Sequence, residues 1–289
     1  MTLPRTIGCG TRFCTVIGNP ISHSLSPAIH NAGYEALGLD YVYVANRVED
    51  VQSALAGMRA LGNFRGMSIT IPHKIEAMKY VDEIREVDRA IGSINTVVHE
   101  GDRLIGLGTD GPGALKALTD GGVDLAGKKV LMLGAGGAAR AIAFTMAREA
   151  KLSGLALLDI NEPLMHGLRA DLTKDTALAV SAALLDAGSL AEAMARADVI
   201  VHCTSVGMHP KQGVSLIPAE LFRSGQVVFD IVYTPLETKL LADARARGLQ
   251  TVSGVDMFIN QAVLQFEQFT GVAAPVAVMR QVVMEHLQS

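Results

Sequence analysis

Apolar positions follow two rhythms along this chain. Short β-prone runs alternate with stretches whose apolar residues recur every three or four positions, and glycine or proline punctuates the joins. Residues 13–17 predict a strand that ends at Gly18. Ser26-Pro27 pairs a capping hydroxyl with a proline suited to the first helical position. Ile29, Ala32, Ala36 and Leu37 then recur at helical spacing, and Gly38 stops the helix. Residues 41–48 predict a strand, 51–61 a helix closed by Gly62, and 67–71 another strand. Pro72 is expected to open the next helix, with Lys74 in its first turn.

The second half is more regular. Strands are predicted at 128–133, 155–158, 177–180, 199–202, 227–232 and 251–252. Helical stretches such as 138–150, 190–196 and 238–247 fall between them. This alternation predicts right-handed βαβ units around a parallel sheet. Two closing helices, 255–270 and 274–288, follow the last strand and are expected to fold back on the N-terminal half. The boundary is expected at Gly111-Pro112-Gly113.

Composition narrows the class. Apolar residues make up 49% of 289 residues but aromatics only 4%, with no Trp, so two cores must be aliphatic and Ala-packed. Net charge is −4, and no Lys/Arg cluster offers a face to nucleic acid or an anionic membrane. Cys9, Cys14 and Cys203 are odd in number and form no CxxC pair, which fits free thiols, each a small buried hydrophobe, in a reducing compartment. The first residues lack the apolar stretch of a signal peptide, and no apolar run approaches the ~18 residues of a membrane span. A cytoplasmic protein is expected. The histidines lack metal-ligand spacing, so no metal is expected.

Residues 130–140 read as strand, glycine turn and helix, and fit G-x-G-x-x-A with Gly134, Gly136 and Ala139. Gly134 permits the tight turn, Gly136 leaves room for a pyrophosphate, and Ala139 lets helix and strand pack closely. The helix N-terminus adds free N–H groups and a positive dipole. The fold expected is therefore α/β, with a Rossmann-like, doubly wound parallel-sheet domain at 112–254 that binds a nicotinamide dinucleotide. The N-terminal α/β domain, 1–111 completed by 255–289, is left for substrate binding and catalysis. Asp159 ends the second strand of the dinucleotide unit, where an acid accepts from ribose hydroxyls and repels a 2′-phosphate. No Arg or Lys follows in Ile160-Asn161-Glu162-Pro163, so NAD is expected over NADP. Asp159 is alternatively a cap for the following helix.

Three features of the N-terminal half carry candidate chemistry. Ser24 and Ser26 crowd a helix N-terminus, a place suited to a carboxylate, although Ser26 as a cap and Ser24 in a solvated turn would also explain them. Lys74 is a cation where a helix dipole disfavours one, so it is either a solvated surface residue or selected for chemistry. Asp110 is a carboxylate that could pair with it, or an N-cap.

At this point the chain resembles a family. Gly18-x-Pro20-Ile21-x-x-Ser24-x-Ser26-Pro27-x-x-His30-Asn31 is similar to the N-terminal signature of shikimate dehydrogenases. Ser68-x-Thr70-x-Pro72-x-Lys74 resembles their catalytic-lysine segment; Ile94-Asn95-Thr96 and Gly106-x-Gly108-Thr109-Asp110-Gly111 resemble the next two. Gly134-Ala135-Gly136-Gly137-Ala138-Ala139, Thr204-Ser205-x-Gly207-Met208, Asp230-x-x-Tyr233-x-Pro235-x-x-Thr238 and Gly254-x-x-Met257-x-x-x-Gln261-Ala262 follow in family order. The resemblance implies an oxidoreductase acting on shikimate, as a monomer or homodimer. It implies that Ser24, Ser26 and Tyr233 hold the substrate carboxylate, and that Ser68, Thr70, Asn95 and Gln261 line the ring. Lys74 and Asp110 would be the catalytic pair. The cofactor would lie on Gly134, Gly136, Gly137, Ala138, Asp159, Thr204, Ser205, Gly254 and Met257. Many members carry Asn at the positions of Ser68 and Gly108, so quinate is a further candidate substrate. A cofactor-binding sensor without chemistry, or a dehydrogenase of another small hydroxy acid, are the competing readings.

Overall fold

The run Phe13-Cys14-Thr15-Val16-Ile17 is β-prone and mostly apolar, and it becomes the inner strand β1 (Arg12–Gly18) of a six-stranded sheet. The structure, a computed structural model, describes residues 6–208 and 210–288. The expected absence of a signal segment falls on residues 1–5, which lie outside that range. The chain divides into two compact units, Met1–Thr109 with Gln261–Ser289, and Asp110–Asn260.

In the first unit β1 is followed by α1 (Ser26–Ala36), β2 (Tyr41–Arg47), α2 (Val51–Arg59), β3 (Phe64–Ile69), β4 (Glu83–Ile84), α3 (Glu86–Ile91), β5 (Thr96–Glu100) and β6 (Arg103–Leu107). The sheet runs β2-β1-β3-β5-β6-β4. β1 pairs parallel with β2 and β3, whereas β5 runs antiparallel to both β3 and β6. The β5–β6 hairpin, turned at Gly101 with φ +64°, breaks the all-parallel pattern and has no counterpart in the sequence reading.

Two local expectations are corrected here. The buried face of α1 is Ile29, His30, Gly33 and Tyr34, not Ala32, Ala36 and Leu37; Leu37 is exposed beside Gly38. Asn31 fixes the rotation, because its Nδ2 donates to the Pro27 and Tyr43 carbonyls and its Oδ1 accepts from the Tyr43 N–H. No α-helix opens at Pro72 either. The Lys74 carbonyl accepts from the Ile94 N–H at 3.0 Å instead of from its own chain four residues on, and only a short 3₁₀ turn, Glu76–Tyr80, follows. The dipole argument about Lys74 therefore falls away.

The second unit holds α4 (Asp110–Asp120), β7 (Lys129–Leu133), α5 (Gly137–Glu149), β8 (Gly154–Asp159), α6 (Glu162–Asp175), β9 (Val180–Leu184), α7 (Ala187–Arg196), β10 (Val199–His202), β11 (Val227–Asp230), α8 (Lys239–Ala246) and β12 (Gln250–Ser253). Its strands are all parallel in the order β12-β11-β10-β7-β8-β9. Counted from β7, this is the doubly wound order 3-2-1-4-5-6 read in reverse, with its switch between β7 and β10. One face is sealed by Leu131, Leu133, Leu158, Ile200, Val228 and Leu241, an aliphatic core as the composition requires. The edge strand β9 lies later than the predicted 177–180, because an exposed edge lacks the apolar run that marks the inner strands.

The closing helices are α9 (Gly254–Thr270) and α10 (Val276–Gln288). In the first unit α10 packs along α1, and Phe266 and Phe269 of α9 join His30, Tyr34 and Tyr43 in an aromatic cluster. Among the described residues no helix is long and apolar enough to cross a membrane. The cysteines are free, but only Cys14 is buried; Cys9 is exposed, so the expectation of three buried thiols fails there.

Candidate active site

Topology aligns four segments of the first unit. β1 and β3 are parallel and end at one edge of the sheet, at Gly18 and Ile69. β5 is antiparallel to β3 and starts at that edge with Thr96, and β6, antiparallel to β5, ends there at Leu107. These strands are neighbours, so the segments bearing Ser24 and Ser26, Thr70 and Lys74, Asn95, and Gly108-Thr109 emerge side by side. Such edges are where α/β sheets bind ligands. Backbone bonds tie the segments: Asn19 N–H to Ile71 O at 2.9 Å, Ile69 N–H to Asn95 O at 2.7 Å, and Asn95 N–H to Leu107 O at 3.2 Å. Gly18 is required here, since a Cβ would collide with the Thr70 side chain and press on the Ile71 carbonyl.

Ser26 does not cap α1. It is the first helical residue, the N-cap is Leu25, and the Ser26 N–H donates to Ser24 Oγ at 3.3 Å. Both hydroxyls thus lie at a helix start that has no side-chain cap on the N-cap residue.

Behind the edge lies a buried polar chain. Tyr43 Oη donates to Ser68 Oγ (2.6 Å), and Ser68 Oγ to Gln265 Oε1 (2.8 Å). Gln265 Nε2 donates to Thr96 Oγ1 (3.0 Å) and to the Asn95 carbonyl (3.2 Å). Asn95 Oδ1 accepts from the Thr109 N–H (2.7 Å) and from Thr96 Oγ1 (3.0 Å), while its Nδ2 donates to Thr109 Oγ1 (2.9 Å). Thr109 Oγ1 also lies 3.5 Å from Gln261 Oε1. Asn95, Gln261 and Ser68 are therefore brought together, but the Ser68 hydroxyl already donates and accepts within the fold. The place a side chain at Gly108 would take is occupied by Asp88, whose Oδ1 would lie 2.7 Å from a Cβ there.

In the second unit the glycine turn has two differently explained glycines. Gly134 has φ +106°, and a Cβ would sit 2.9 Å from the Cys203 carbonyl oxygen, so the fold itself demands glycine. Gly136 has ordinary φ, is exposed, and a Cβ there would meet nothing within 4 Å. Its missing side chain is unexplained by packing and fits a pyrophosphate that must approach the backbone. Gly136 is also the N-cap of α5 without a side-chain cap, and Gly137 and Ala138 open the helix, so this N-terminus suits an anion. Ala139 is fully buried against the strand.

Asp159 has a structural task besides the one expected of it. Its Oδ2 accepts from the Ala135 N–H (2.6 Å) and its Oδ1 from the Asn161 N–H (2.7 Å). Asn161, not Asp159, caps α6. The carboxylate thus braces the glycine turn, with both oxygens engaged by backbone.

Sequence reasoning missed His202. Its Nδ1 bonds Asp230 Oδ1 (2.8 Å) and its Nε2 bonds Thr204 Oγ1 (2.6 Å). Asp230, wholly buried, also accepts from Thr238 Oγ1 (2.6 Å) and the Val232 N–H. This chain holds the Thr204-Ser205 loop in place; Ser205 itself is exposed. A histidine ending a buried strand near a buried aspartate was visible only as two scattered residues. Tyr233 stacks on Phe258 at 4.4 Å, and burial pushes its hydroxyl up to about 12. Gly254 is explained by packing, since a Cβ would collide with the Ile231 carbonyl; Met257 is buried one turn further on. Asp110 opens α4, and Gly111 beside it lets α4 press against Ala141 and Thr145 of α5.

Comparisons with known proteins bear on this arrangement. A family profile described as "Shikimate dehydrogenase substrate binding domain" matches residues 16–97, and one described as "Shikimate 5'-dehydrogenase C-terminal domain" matches residues 254–284. The shikimate dehydrogenase (NADP(+)) of Moorella thermoacetica is 43% identical over 282 residues, covering 96% of this chain and 95% of that one. A crystal structure of a shikimate dehydrogenase in complex with NADP+ superposes with a TM-score of 0.91 at 33% identity, covering 100% of both chains. A quinate dehydrogenase from Corynebacterium glutamicum in complex with NAD superposes at 0.86 with 28% identity, covering 95% of this chain and 99% of that one. The expectation of NAD over NADP is overturned. Curated relatives such as those of Moorella thermoacetica and Bacillus subtilis, each 43% identical, are named for NADP(+). The expectation rested on Asp159 alone, and that carboxylate also braces the glycine turn by accepting from the Ala135 and Asn161 N–H groups.

Proposed function

The chain belongs to the shikimate dehydrogenase family, and from that premise we propose that it oxidises shikimate to 3-dehydroshikimate with NADP, and catalyses the reverse reduction. The observation that carries the reading is the sheet edge on which Ser24, Ser26, Thr70, Lys74 and Asn95 emerge together, with Thr109 bonded to Asn95 and Asp110 next in the chain. The Ser24 and Ser26 hydroxyls, with Tyr233, receive the substrate carboxylate. Thr70, Asn95 and Gln261 take ring hydroxyls, and such polar grips reject analogues that lack the hydroxyl. Ser68 supports Asn95 from behind. NADP, held at Gly136, Gly137, Ala138 and the Thr204-Ser205 loop, supplies the hydride acceptor. Lys74 and Asp110 move the hydroxyl proton and steady the developing oxyanion.

The test is direct. The protein is incubated with NADP and shikimate, and absorbance of the reduced cofactor is followed. Lys74→Ala is expected to lower kcat by at least about 10²-fold with little change in NADP affinity. Normal turnover by that variant would refute the assignment of Lys74. Quinate is a second reading, supported by the quinate dehydrogenase neighbour and by Ser68 and Gly108 in place of the family's usual residues. The same assay with quinate decides it.

A further inference from the structure

The loop that leaves β10, residues 203–208, stands at the switch in strand order. β7, β8 and β9 make one mononucleotide half of the second sheet. That half carries the glycine turn and, at the end of its second strand, the position that faces adenosine in such folds. β10, β11 and β12 make the other half, so the β10 loop belongs to the nicotinamide side. It also touches the glycine turn: a Cβ at Gly134 would lie 2.9 Å from the Cys203 carbonyl oxygen and 3.3 Å from Thr204 Cγ2.

Both ends of this loop rest on one buried set of side chains. Thr238 caps α8 by accepting from the Leu241 N–H, so its own proton goes to Asp230 Oδ2 at 2.6 Å. Asp230 Oδ1 meets His202 Nδ1 at 2.8 Å, and His202 Nε2 meets Thr204 Oγ1 at 2.6 Å. Thr204 Oγ1 accepts in addition from the Val206 N–H at 3.2 Å. At the far end Gly207, with φ +97°, backs onto Thr238, whose Cβ would lie 3.7 Å from an added Cβ. His202, Asp230 and Thr238 are each at most 1% exposed, so water cannot replace these bonds at no cost. Thr204 carries its hydroxyl and its methyl on the same carbon. With the hydroxyl held by His202, the methyl is what lies beside Gly134.

We propose that His202, held by Asp230 and Thr238, is a positioning residue that fixes the Thr204 rotamer and pre-forms the β10 loop for the nicotinamide half of NADP. This rests on the proposed function. A loop ordered before binding spares the cofactor the entropy of ordering it, and keeps the reacting ring in one orientation. Thr204 then serves the cofactor through its methyl and backbone, while its hydroxyl serves His202.

The experiment compares two ligands by titration calorimetry: NADP, and adenosine 2′,5′-bisphosphate, which lacks the nicotinamide half. His202→Leu is expected to weaken NADP about 10–30-fold and the bisphosphate by less than about twofold. Thr204→Val keeps the methyl and removes the hydroxyl, and is expected to weaken NADP about fivefold with the same selectivity. The double variant should bind NADP no worse than His202→Leu alone. Equal weakening of both ligands would overturn the proposal, since general loosening of the domain spares neither. Unchanged NADP affinity, or fully additive losses, would overturn it too; additivity would mean that the Thr204 hydroxyl meets the cofactor itself. Should His202→Leu not fold, Thr204→Val carries the comparison. Failure of the wild type to bind NADP would instead overturn the proposed function. The positioning claim is then judged by hydrogen exchange at the Met208 N–H, which bonds the Ser205 carbonyl within the loop at 3.2 Å. Exchange at least about threefold faster in Thr204→Val is expected, and an unchanged rate would refute the claim.

Discussion

His30 should make this protein acid-sensitive in a way one substitution removes. The imidazole is fully buried in the aromatic cluster, stacked on Tyr43 with ring centroids 4.3 Å apart and planes 5° from parallel. Neither of its nitrogens has a hydrogen-bond partner. Burial among rings disfavours the charged form and lowers its pKa from 6.5 to about 3. Below pH 6.5 the unfolded chain therefore takes up a proton that the folded chain refuses until near pH 3. Stability rises with pH across that window and is lost as pH falls through it. At 1.36 kcal/mol per pH unit, lowering the pH from about 8 to about 5 should cost about 2 kcal/mol from this residue alone. His30→Phe keeps an aromatic ring in the stack and deletes both unpartnered atoms. Its stability at about pH 8 balances the relief of buried polar groups, about 1–3 kcal/mol each, against the strain of a larger ring. The pH dependence is the cleaner quantity. Urea unfolding of both proteins, followed by the near-ultraviolet tyrosine signal, gives the difference of differences between the two pH values, from which other titrating groups cancel. About 2 kcal/mol is expected. A value within about 0.5 kcal/mol of zero would refute the claim that His30 is held neutral by burial.

The two glycines of the dinucleotide turn should respond oppositely. Gly134→Ala, placed at φ +106° against the Cys203 carbonyl, should destabilise by about 1–3 kcal/mol in thermal unfolding. Gly136→Val meets no atom of the fold and should cost only the poorer helix cap, about 1 kcal/mol, but weaken NADP binding at least tenfold by titration calorimetry, because the added side chain lies where a pyrophosphate would approach. Asp159→Ala should weaken NADP and NAD binding by similar factors, as expected of a brace for the Ala135 and Asn161 N–H groups. A selective gain for NADP on removing the charge would show that Asp159 reads the cofactor after all.

The family motifs occur in the same order as in shikimate dehydrogenases, and the inner strands of the second unit were legible, although α4 and α6 were not named and β9 was placed too early. A buried parallel strand is a continuous apolar run, and βαβ units repeat it at regular intervals, so periodicity alone placed β7, β8, β10 and β11. The glycine turn was legible because backbone geometry limits Gly134 to one residue type. The hairpin of β5 and β6 was not read, because two short antiparallel strands give no such repeat.

What the sequence could not decide was where polar side chains turn. Asp159 gave no sign in the sequence that the Ala135 and Asn161 N–H groups would bond its oxygens, and Lys74 looked helical until Ile94 claimed its carbonyl. Ser68 was named as a substrate contact, and its bonds to Tyr43 and Gln265, 25 and 197 residues away, were not foreseen. Apolar periodicity is a local property, written in neighbouring residues. Hydrogen bonding at a buried site is settled by whichever distant donor or acceptor the fold delivers, and that exists only once the chain has closed on itself.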